Sequence, residues 1–377
     1  MTWQSRGAAA ACGLVLIATA CTGGAQKTQE PAAPGATPGE TLVSGDFKMV
    51  LPLGLQADAA YVPENNTLAQ AKIDLGRKLY FDGRLSKDGT ISCATCHNPD
   101  KGFTDARPTS TGIAGQTGAR SAPTVMNRLF SKEQFWDGRA ADLETQALGP
   151  VQNPIEMGHT LEGMISNLQR ITMYGPEFEA AFGSPGINAE RVGQAIASYE
   201  RTVLSGNAPY DRYQAGDKSA MSESAVRGLA LFTDAKRANC VTCHAGFNFT
   251  DESYHNLGVG MEKPAPDWGR FGVTKVETDK GAFKTPTLRN ITDTAPYMHD
   301  GSEATLQEVV KLHDQGGKPN KWLSKEIKPL HLSEQDKADL VAFLQALSGE
   351  VTGRQRPVLP PVTAPAAILP GIPAGGR

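Results

Sequence analysis

The pentapeptides CATCH at residues 93–97 and CVTCH at residues 240–244 share the pattern Cys-x-x-Cys-His. This pattern is the attachment signal of c-type haem: two thiols one turn apart bond to the haem vinyl groups, and the adjoining His binds the iron. The alternatives are a redox dithiol or half of a zinc site. A redox dithiol does not require the His, and chance does not explain two copies behind matching segments. The attachment residues are therefore predicted to be Cys93, Cys96, Cys240 and Cys243, and the proximal iron ligands His97 and His244.

The other two of the six cysteines, Cys12 and Cys21, lie close to the N-terminus. Arg6 precedes an apolar run that ends at Ala20 and is too short to span a membrane, which is typical of a secretory signal peptide. We therefore expect a signal peptide over residues 1–20. Cys21 is either the first residue after an ordinary cleavage site or the site of a lipid anchor. In both cases the protein is exported, so we expect it in the periplasm, either free or anchored to a membrane through Cys21.

Two further segments are expected to lack regular structure. The sequence after Cys21, TGGAQKTQEPAAPGATPGE, is rich in Gly, Pro, Ala and Thr and cannot bury a core, so residues 21–60 are predicted to form a flexible tether. Residues 353–377 form a Pro-rich tail that is either free or lies across the folded body. The formal net charge of −3 gives no indication of binding to nucleic acid.

The segments that precede the two haem motifs resemble each other. LGRKLYFDGRLS at 75–86 corresponds to RGLALFTDAKRAN at 227–239, and Phe-Thr-Asp follows each motif. Apolar residues recur at helical spacing in both segments, and strand patterns are scarce. The chain is therefore predicted to be mainly α-helical, with two cytochrome c-like haem domains in tandem over residues 61–215 and 216–352.

The second haem needs a further protein ligand opposite His244 if it only transfers electrons. The stretch TLQEVVKLHDQGG at 305–317 is typical of a capped helix, and His313 lies on its apolar face. A His on an apolar face is usually an ordinary core residue. Beside a haem motif, however, His313 becomes the favoured iron ligand. Met298 is the alternative, and His299 is a weaker one.

Further motifs make the chain resemble the bacterial di-haem cytochrome c peroxidases and their MauG-type relatives, over nearly all of residues 68–350. These motifs are the two CxxCH sequences, QFWDGRA (134–140), GPVQNPIEMG (149–158), FKTPTLRNI (283–291), APYMHDG (295–301) and the TLQEVV helix. The resemblance implies a fold of two cytochrome c-like domains. It also implies that the N-terminal haem reacts with peroxide and that the C-terminal haem transfers electrons.

The resemblance assigns roles to three residues near the first haem. Trp136 matches the family Trp that lies between the haems, and Gln146 and Glu156 match residues of the distal pocket. Glu156 is the expected general acid/base, because peroxide cleavage requires a proton to move from the inner oxygen to the leaving one. Without the family pattern, Trp136 would be interpreted as a core residue, Gln146 as a helix-surface residue and Glu156 as a loop charge.

The family also carries a calcium ion between its domains. The corresponding positions here are Ser121 and the backbone oxygens of Thr294 and Pro296. The family has Asn where this chain has Ser121, so one oxygen ligand is replaced by a shorter one. The resemblance therefore implies a calcium site with an altered ligand.

Two positions depart from the peroxidases of the family. Those enzymes place a second His on the N-terminal haem, where this chain has Ile113 in the stretch STGIAGQTG (110–118). The first iron is therefore expected to lack a distal protein ligand, as in the MauG-type branch. At the second haem the peroxidases use Met and the MauG type uses Tyr, whereas this chain has His313 at that position.

Three functions are consistent with these features. The first is reduction of hydrogen peroxide to water, with electrons from a small periplasmic donor such as a cytochrome c or a copper protein. The second is a MauG-like oxidation of Tyr or Trp residues in a partner protein. The third is a di-haem cytochrome that only transfers electrons. Ile113 and Glu156 argue against the third function, because a carrier gains nothing from an open iron beside a carboxylate.

Overall fold

The structure is a computed structural model that describes residues 39–361. The chain is mainly α-helical, as predicted. Its helices are α1 (Gln70–Phe81), α2 (Cys93–Cys96), α3 (Leu143–Gln152), α4 (Leu161–Gln169), α5 (Tyr174–Phe182), α6 (Ala189–Glu200), α7 (Pro209–Gln214), α8 (Glu223–Thr233), α9 (Phe271–Thr274), α10 (Leu306–Asp314) and α11 (Glu334–Gln345). The short strands are β1 (Thr41–Ser44), β2 (Phe47–Val50), β3 (Ser205–Gly206), β4 (Tyr254–His255), β5 (Phe283–Lys284) and β6 (Glu350–Val351). β1 pairs with β2, β3 with β6 and β4 with β5, all antiparallel.

A pair of closely packed helices lies at the centre of each half of the chain. In the first half α1 crosses α6 at Gly76, where an added Cβ would lie 1.7 Å from the backbone oxygen of Ala195. In the second half α8 crosses α11 at Gly228, where a Cβ would lie 1.9 Å from the backbone oxygen of Asp339. Any larger residue at either glycine would force the two helices apart. The two halves therefore use the same helix crossing.

Aromatic pairs next to these crossings confirm the correspondence. The ring centroids of Tyr80 and Tyr199 lie 5.0 Å apart with an interplanar angle of 63°. Those of Phe232 and Phe343 lie 4.9 Å apart at 59°. The buried apolar residues also form separate clusters, one between Leu75 and Val203 and one between Met221 and Leu347. Two cytochrome c-like units in tandem are therefore present, and the boundary near residue 215 stays a prediction.

The internal repeat extends well beyond the haem motifs. Three pairs of positions have matching left-handed φ angles: Asn127 (61°) with Asn290 (51°), Phe135 (70°) with Met298 (72°), and Gly138 (67°) with Gly301 (63°). The same spacing relates the N-cap residues of α3 and α10, Asp142 and Thr305. Continued into these helices, it places Pro150 of α3 at the position that His313 occupies in α10.

The prediction of a flexible tether over residues 21–60 is wrong from residue 41 onwards. β1 and β2 form a hairpin, and Leu42 and Leu51 are buried in a cluster that also contains Leu204. The hairpin is ordered because these leucines reach apolar surface on the main body. The predicted signal peptide, the lipid-anchor position and residues 21–38 of the predicted tether lie outside the described residues.

The first part of the predicted Pro-rich tail lies across the N-terminal unit. The Tyr199 hydroxyl donates to the backbone oxygen of Gly353 at 2.8 Å, and the Arg84 guanidinium donates to that of Pro360 at 3.0 Å. Arg356 forms an ion pair with Asp100 at 2.6 Å. Residues 353–361 have no regular secondary structure, as predicted, and residues 362–377 lie outside the described part of the chain.

Candidate haem centres

The first CxxCH motif forms a single helical turn, α2. Ser92 caps this turn together with Thr95, and the backbone N–H of His97 donates to the oxygen of Cys93 at 2.9 Å. The His97 Nδ1 lies 3.3 Å from the backbone oxygen of Phe103, which directs the other ring nitrogen, Nε2, away from the backbone. Burial lowers the pKa of His97, so the ring is neutral and able to bind iron.

The second motif has the same arrangement. Cys240–Thr242 form one 3₁₀ turn, and the backbone N–H of His244 donates to the oxygen of Cys240 at 2.9 Å. The His244 Nδ1 lies 2.9 Å from the backbone oxygen of Phe249, which again leaves Nε2 free. Burial is the main cause that lowers the pKa of His244 to about 4. Both proximal ligand candidates are therefore neutral imidazoles held by a backbone carbonyl.

The four motif cysteines fit thioether attachment of haem. All four are half-buried free thiols, so no disulfide competes for them. Burial raises the pKa of Cys96 and Cys243 to about 11 and that of Cys240 to about 12. One sulfur has other possible metal ligands nearby: ligand atoms of Cys243, Asp251 and His255 lie within 4.8 Å of one another. Those three ligands are fewer than the four of a closed zinc site, and His255 already bonds Asp251 at 2.8 Å.

One cavity surrounds the first motif and brings together distant parts of the chain. It is lined by Ile91, Ser92, Cys93, Cys96, His97, Gln146, Ala147, Pro150, Glu156, Met157 and Glu200. Gln146 and Pro150 stand one turn apart on α3, and Glu156 follows on the loop that leaves this helix. The structure therefore places Gln146 and Glu156, the two predicted distal residues, in the same cavity as the first CxxCH motif.

The Glu156 carboxyl is half-buried in this cavity. Burial raises its pKa, and the charge of Arg139 and a hydrogen bond from the Asn153 amide at 2.7 Å oppose the rise. A carboxyl whose pKa is shifted towards neutrality exchanges protons more readily at neutral pH than an ordinary Glu does. Glu156 therefore has the environment of an acid/base group, and not that of an exposed loop charge.

The loop that carries Ile113 packs directly against the Glu156 segment. The backbone N–H of Ile113 donates to the oxygen of Glu156 at 2.8 Å, and an added Cβ on Gly112 would lie 2.1 Å from the oxygen of Ile155.

Besides His97, residues 61–215 contain one other histidine, His159. Its Nδ1 accepts from the backbone N–H of Thr160 at 3.0 Å, and its Nε2 lies 3.1 Å from the Asn167 amide.

Besides Ile113, Pro150 is a second reason to expect that the first iron lacks a distal protein ligand. In the internal repeat it occupies the position of His313, and it lines the first cavity. A proline side chain has no atom that binds iron. The lining of the first cavity includes no histidine other than His97.

His313 projects from α10 in the second unit. Its Nδ1 lies 2.8 Å from the backbone oxygen of Val309, so Nε2 is directed away from its own helix. The charge of His313 is one of the causes that lower the pKa of His244, so the two rings lie within electrostatic range of each other. The alternative, Met298, lies on a turn with φ +72°. The weaker candidate, His299, is stacked on Phe283 at a centroid distance of 3.6 Å.

Trp136 is bonded to both units. Its Nε1–H donates to the backbone oxygen of Ser121 at 2.9 Å, and its own backbone oxygen accepts from Lys284 N–H at 2.8 Å. Ser121 N–H in turn donates to the oxygen of His299 at 2.7 Å. Trp136 therefore stands where the chain segments of the two haem units meet.

The predicted calcium positions lie near this junction. Ser121 is buried, and the backbone oxygens of Thr294 and Pro296 accept no hydrogen bond from residues 39–361. Unpaired carbonyl oxygens are suitable ligands for Ca²⁺, which prefers oxygen donors. These residues are compatible with a calcium ion, and its presence stays a prediction.

Sequence reasoning missed three residues around the first haem centre: Pro150, Tyr80 and Glu200. The Tyr80 hydroxyl donates to the backbone oxygen of His97 at 2.7 Å. Glu200 is buried at the end of α6, and this burial raises its pKa to about 8. The cavity lining brings Pro150 and Glu200 to the first motif, and the hydrogen bond to His97 places Tyr80 beside it.

Comparison with known proteins agrees with this arrangement. The sequence profile described as "Di-haem cytochrome c peroxidase" matches residues 70–219, and the profile described as "Cytochrome c" matches residues 225–348. The methylamine utilization protein MauG of Methylophilus methylotrophus is 42% identical over 305 residues, which cover 80% of this chain and 90% of that protein. The cytochrome c551 peroxidase of Nitrosomonas europaea is 39% identical over 309 residues, which cover 81% of this chain and 87% of that protein.

Two solved structures have folds similar to that of this chain. A MauG-like protein associated with microbial copper homeostasis superimposes with a TM-score of 0.73 at 32% identity, covering 79% of this chain and 96% of the other. The diheme peroxidase BthA of Burkholderia thailandensis superimposes with a TM-score of 0.66 at 21% identity, covering 87% of this chain and 98% of the other. The second similarity shows the fold alone.

Proposed function

The chain belongs to the di-haem cytochrome c peroxidase family and is an oxidoreductase, and we propose that a small periplasmic electron donor, such as a cytochrome c or a copper protein, supplies the electrons for its reduction of hydrogen peroxide. One observation carries the proposal. A CxxCH motif, Gln146 and Glu156 line one cavity, and Pro150, whose side chain has no atom that could bind iron, lines it as well.

A haem held by Cys93, Cys96 and His97 would supply the iron at which the peroxide O–O bond is cleaved. The Glu156 carboxylate accepts the proton of the inner peroxide oxygen and returns it to the outer oxygen, which leaves as water. Gln146, on the wall of the same cavity, orients the peroxide through its side-chain amide. The Asn153 amide holds the Glu156 carboxyl in place. In this proposal these residues together move one proton over a short distance.

Trp136 is proposed to carry electrons between the two units. Its indole N–H bonds the first unit at Ser121, and its backbone oxygen bonds the second unit at Lys284. These two bonds fix the ring at the junction of the units. A fixed aromatic ring between two redox centres shortens each electron-transfer step, so Trp136 is the expected connection.

A MauG-like function is the second candidate, and the Ile113 position favours it. An iron with no distal protein ligand needs no activation before it meets peroxide. A second haem with two His ligands has a lower potential than one with His and Met. Both features suit an enzyme that stores oxidising equivalents and removes electrons from Tyr or Trp residues of a partner protein. The electron-carrier alternative is not favoured, because it leaves the Glu156 cavity without a use.

A stopped-flow experiment separates the two candidates. The di-haem protein is mixed with hydrogen peroxide in the presence and absence of a reduced small cytochrome c. If the proposal is right, the cytochrome is oxidised rapidly and for many turnovers, with two molecules oxidised per peroxide. A long-lived oxidised state with little cytochrome turnover would contradict it and support oxidation of a partner protein. Failure of both haems to react would support the electron-carrier function.

Calcium is proposed to bind between the units at Ser121, Thr294 and Pro296. Because Ser121 N–H bonds His299 and its carbonyl accepts from Trp136, loss of the ion would loosen the segment that positions the Trp136 ring. Treatment with a calcium chelator is expected to slow donor-driven peroxide turnover while leaving the optical spectra of both haems in place. Added Ca²⁺ should restore the rate. Unchanged turnover, with no calcium released on chelation, would contradict the site.

Location in the periplasm is proposed from the N-terminal sequence and from the chemistry of c-type haem attachment. Among residues 39–361, none of the helices has both the length and the hydropathy needed to cross a bilayer. Attachment to a membrane is proposed to occur through a lipid on Cys21. Mass spectrometry of the intact protein would reveal the acyl groups.

A further inference from the structure

We propose that Tyr254 and Glu133 form a redox site at the protein surface, through which oxidising equivalents leave Trp136 when no electron donor is present. The substrate of this site would be a small phenol or a similar reductant that gives one electron at a time. The proposal rests on the proposed peroxidase function, because the reaction with peroxide supplies the oxidant. It adds a second place at which electrons enter the protein, separate from the donor-driven route.

The Tyr254 phenol and the Glu133 carboxylate are in direct contact. The Tyr254 hydroxyl donates to Glu133 Oε2 at 2.6 Å. Oxidation of a phenol to a neutral radical releases one electron and one proton, and the proton needs an acceptor within hydrogen-bond distance. Glu133 is therefore positioned to take the proton when Tyr254 loses the electron.

Arg270 holds both members of the pair in place. Its guanidinium donates to Glu133 Oε1 at 3.1 Å and lies 4.1 Å from the centre of the Tyr254 ring. Burial alone would raise the pKa of Glu133, but the hydrogen bonds from Tyr254 and Arg270 outweigh burial and hold that pKa below its ordinary value. Glu133 is therefore a carboxylate at neutral pH, the form that accepts a proton.

Tyr254 is in contact with the turn that carries Trp136. An added Cβ on Gly138, two residues after Trp136, would lie 1.7 Å from the Tyr254 hydroxyl oxygen. Tyr254 also pairs with Lys284 between β4 and β5, and the Lys284 N–H donates to the backbone oxygen of Trp136 at 2.8 Å. Two short routes therefore join Tyr254 to Trp136, one through Gly138 and one through Lys284.

The pair can be reached from solvent. The Glu133 side chain is 40% exposed, and Tyr254 is half-buried. Neither residue belongs to the lining of the first cavity. A small reductant could therefore reach the pair without entering the cavity in which peroxide is proposed to react.

The internal repeat shows that the fold does not need a tyrosine at this position. The left-handed residues that follow the two haem motifs have the same spacing, which aligns Pro108 with Tyr254. Gly301 is aligned with Gly138, and an added Cβ on Gly301 would lie 2.3 Å from the Cα of Pro108. The same close contact between a turn and the opposite unit is therefore made twice, once with a proline and once with a tyrosine.

The carboxylate is also confined to one of these two contacts. The spacing that relates the two turns aligns Glu133 with Pro296 and Trp136 with His299. The contact beside His299 thus has neither a phenol nor a carboxylate at these positions. The oxidisable ring and its base occur together beside Trp136, the residue proposed to carry electrons between the units.

The electrons and protons of the proposed step balance. Tyr254 gives one electron to oxidised Trp136 and its hydroxyl proton to the Glu133 carboxylate. A small phenol then gives one electron to the Tyr254 radical, Glu133 returns the proton to the Tyr254 oxygen, and the phenol releases its own proton to solvent. Two such cycles supply two electrons, and the solvent returns two protons, so that one hydrogen peroxide becomes two waters.

The test uses the di-haem protein, hydrogen peroxide and freeze-quench electron paramagnetic resonance, without any electron donor. Protein grown with ring-deuterated tyrosine identifies a tyrosyl signal by its narrowed splitting. We expect this signal in the natural protein and its loss to background in Tyr254→Phe. In Glu133→Gln the signal should form more slowly by a factor of ~10²–10⁴, the usual contribution of a positioned base.

Two controls accompany these variants. Tyr210→Phe, which alters a tyrosine packed against Phe249 and Phe343 in the second unit, should keep the signal. Phenylalanine keeps the ring beneath Arg270, so Tyr254→Phe should have the haem spectra of the natural protein. If Tyr254→Phe loses its haems, the rate of signal formation in Glu133→Gln decides the test.

Guaiacol, a small phenol, tests the class of substrate. The natural protein is expected to oxidise guaiacol with hydrogen peroxide, and Tyr254→Phe should lose this reaction. Tyr210→Phe should retain it. An unchanged rate of guaiacol oxidation in Tyr254→Phe would overturn the proposed route.

Outcomes for the redox site and for the proposed function are distinguishable. If peroxide is reduced with a donor but no tyrosyl signal forms without one, the redox site is wrong and the peroxidase function stands. A tyrosyl signal that persists in Tyr254→Phe also overturns the site. If peroxide is not consumed under any condition, both proposals fail. A signal that requires Tyr254 and forms slowly in Glu133→Gln supports the site.

Discussion

Replacement of His313 by glycine is expected to convert the second haem from low spin to high spin. In the proposed state two imidazoles, those of His244 and His313, give the iron a strong field from both sides. His313 is suitable because its Nδ1 is occupied by the Val309 carbonyl and its Nε2 is free. Removal of the side chain would leave one axial ligand. Magnetic circular dichroism and electron paramagnetic resonance of the ferric protein would measure the change.

Two controls sharpen this experiment. Added imidazole should enter the space left in the glycine variant and restore the low-spin spectrum. Met298→Leu should leave the second haem low-spin, because His313, and not Met298, is the proposed ligand. If His313→Gly stays low-spin and Met298→Leu becomes high-spin, the ligand is Met298 and the assignment of His313 is wrong.

The haem motifs could be predicted from sequence because their chemistry is local. Two cysteines and a histidine within five residues are sufficient to attach and ligate a haem, so CATCH and CVTCH needed no tertiary information. The capped helix of residues 305–317 could also be predicted, because its cap and its apolar face depend on residues within a few helical turns of one another. The structure confirms that α10 begins after Thr305 and includes His313.

The surroundings of the first haem could not be predicted in the same way. Glu200 enters the cavity because α6 crosses α1 at Gly76, and that crossing joins residues far apart in the chain. Pro150 appears as an ordinary residue of a helix until the left-handed turns of the two units align it with His313. Such assignments need the three-dimensional correspondence of the two units, which the sequence resemblance around the haem motifs revealed only in part.

The hairpin of β1 and β2 was missed for a related reason. Its strands contain four residues each, too few for a clear alternating pattern, and they follow a stretch rich in Gly and Pro. What orders them is the burial of leucines such as Leu42 and Leu51 against the first unit. Tertiary packing therefore overrides the weak local signal.

Glu156→Gln is expected to slow the reaction with hydrogen peroxide by a factor of ~10²–10⁴, the usual contribution of a general acid/base. Glutamine has the same shape and keeps the hydrogen-bonding position next to Asn153, but it cannot accept and return a proton. Both haems should remain attached, with unchanged spectra. The rate constant would be measured by stopped-flow mixing of peroxide with the variant that carries its full complement of haem.

The pH dependence of the same reaction tests whether Glu156 acts through its ionised form. Burial raises the pKa of Glu156 above 4.5, so the natural protein should lose activity on acidification at a pH higher than an ordinary carboxyl would require. The residual activity of Glu156→Gln should lack this acid limb. Glu162→Gln, which changes an exposed carboxyl at the start of α4, should retain both the rate and the limb. If Glu156→Gln reacts at an unchanged rate and keeps the acid limb, another group transfers the proton. Glu200 would be the first candidate, because it lines the same cavity and burial raises its pKa as well.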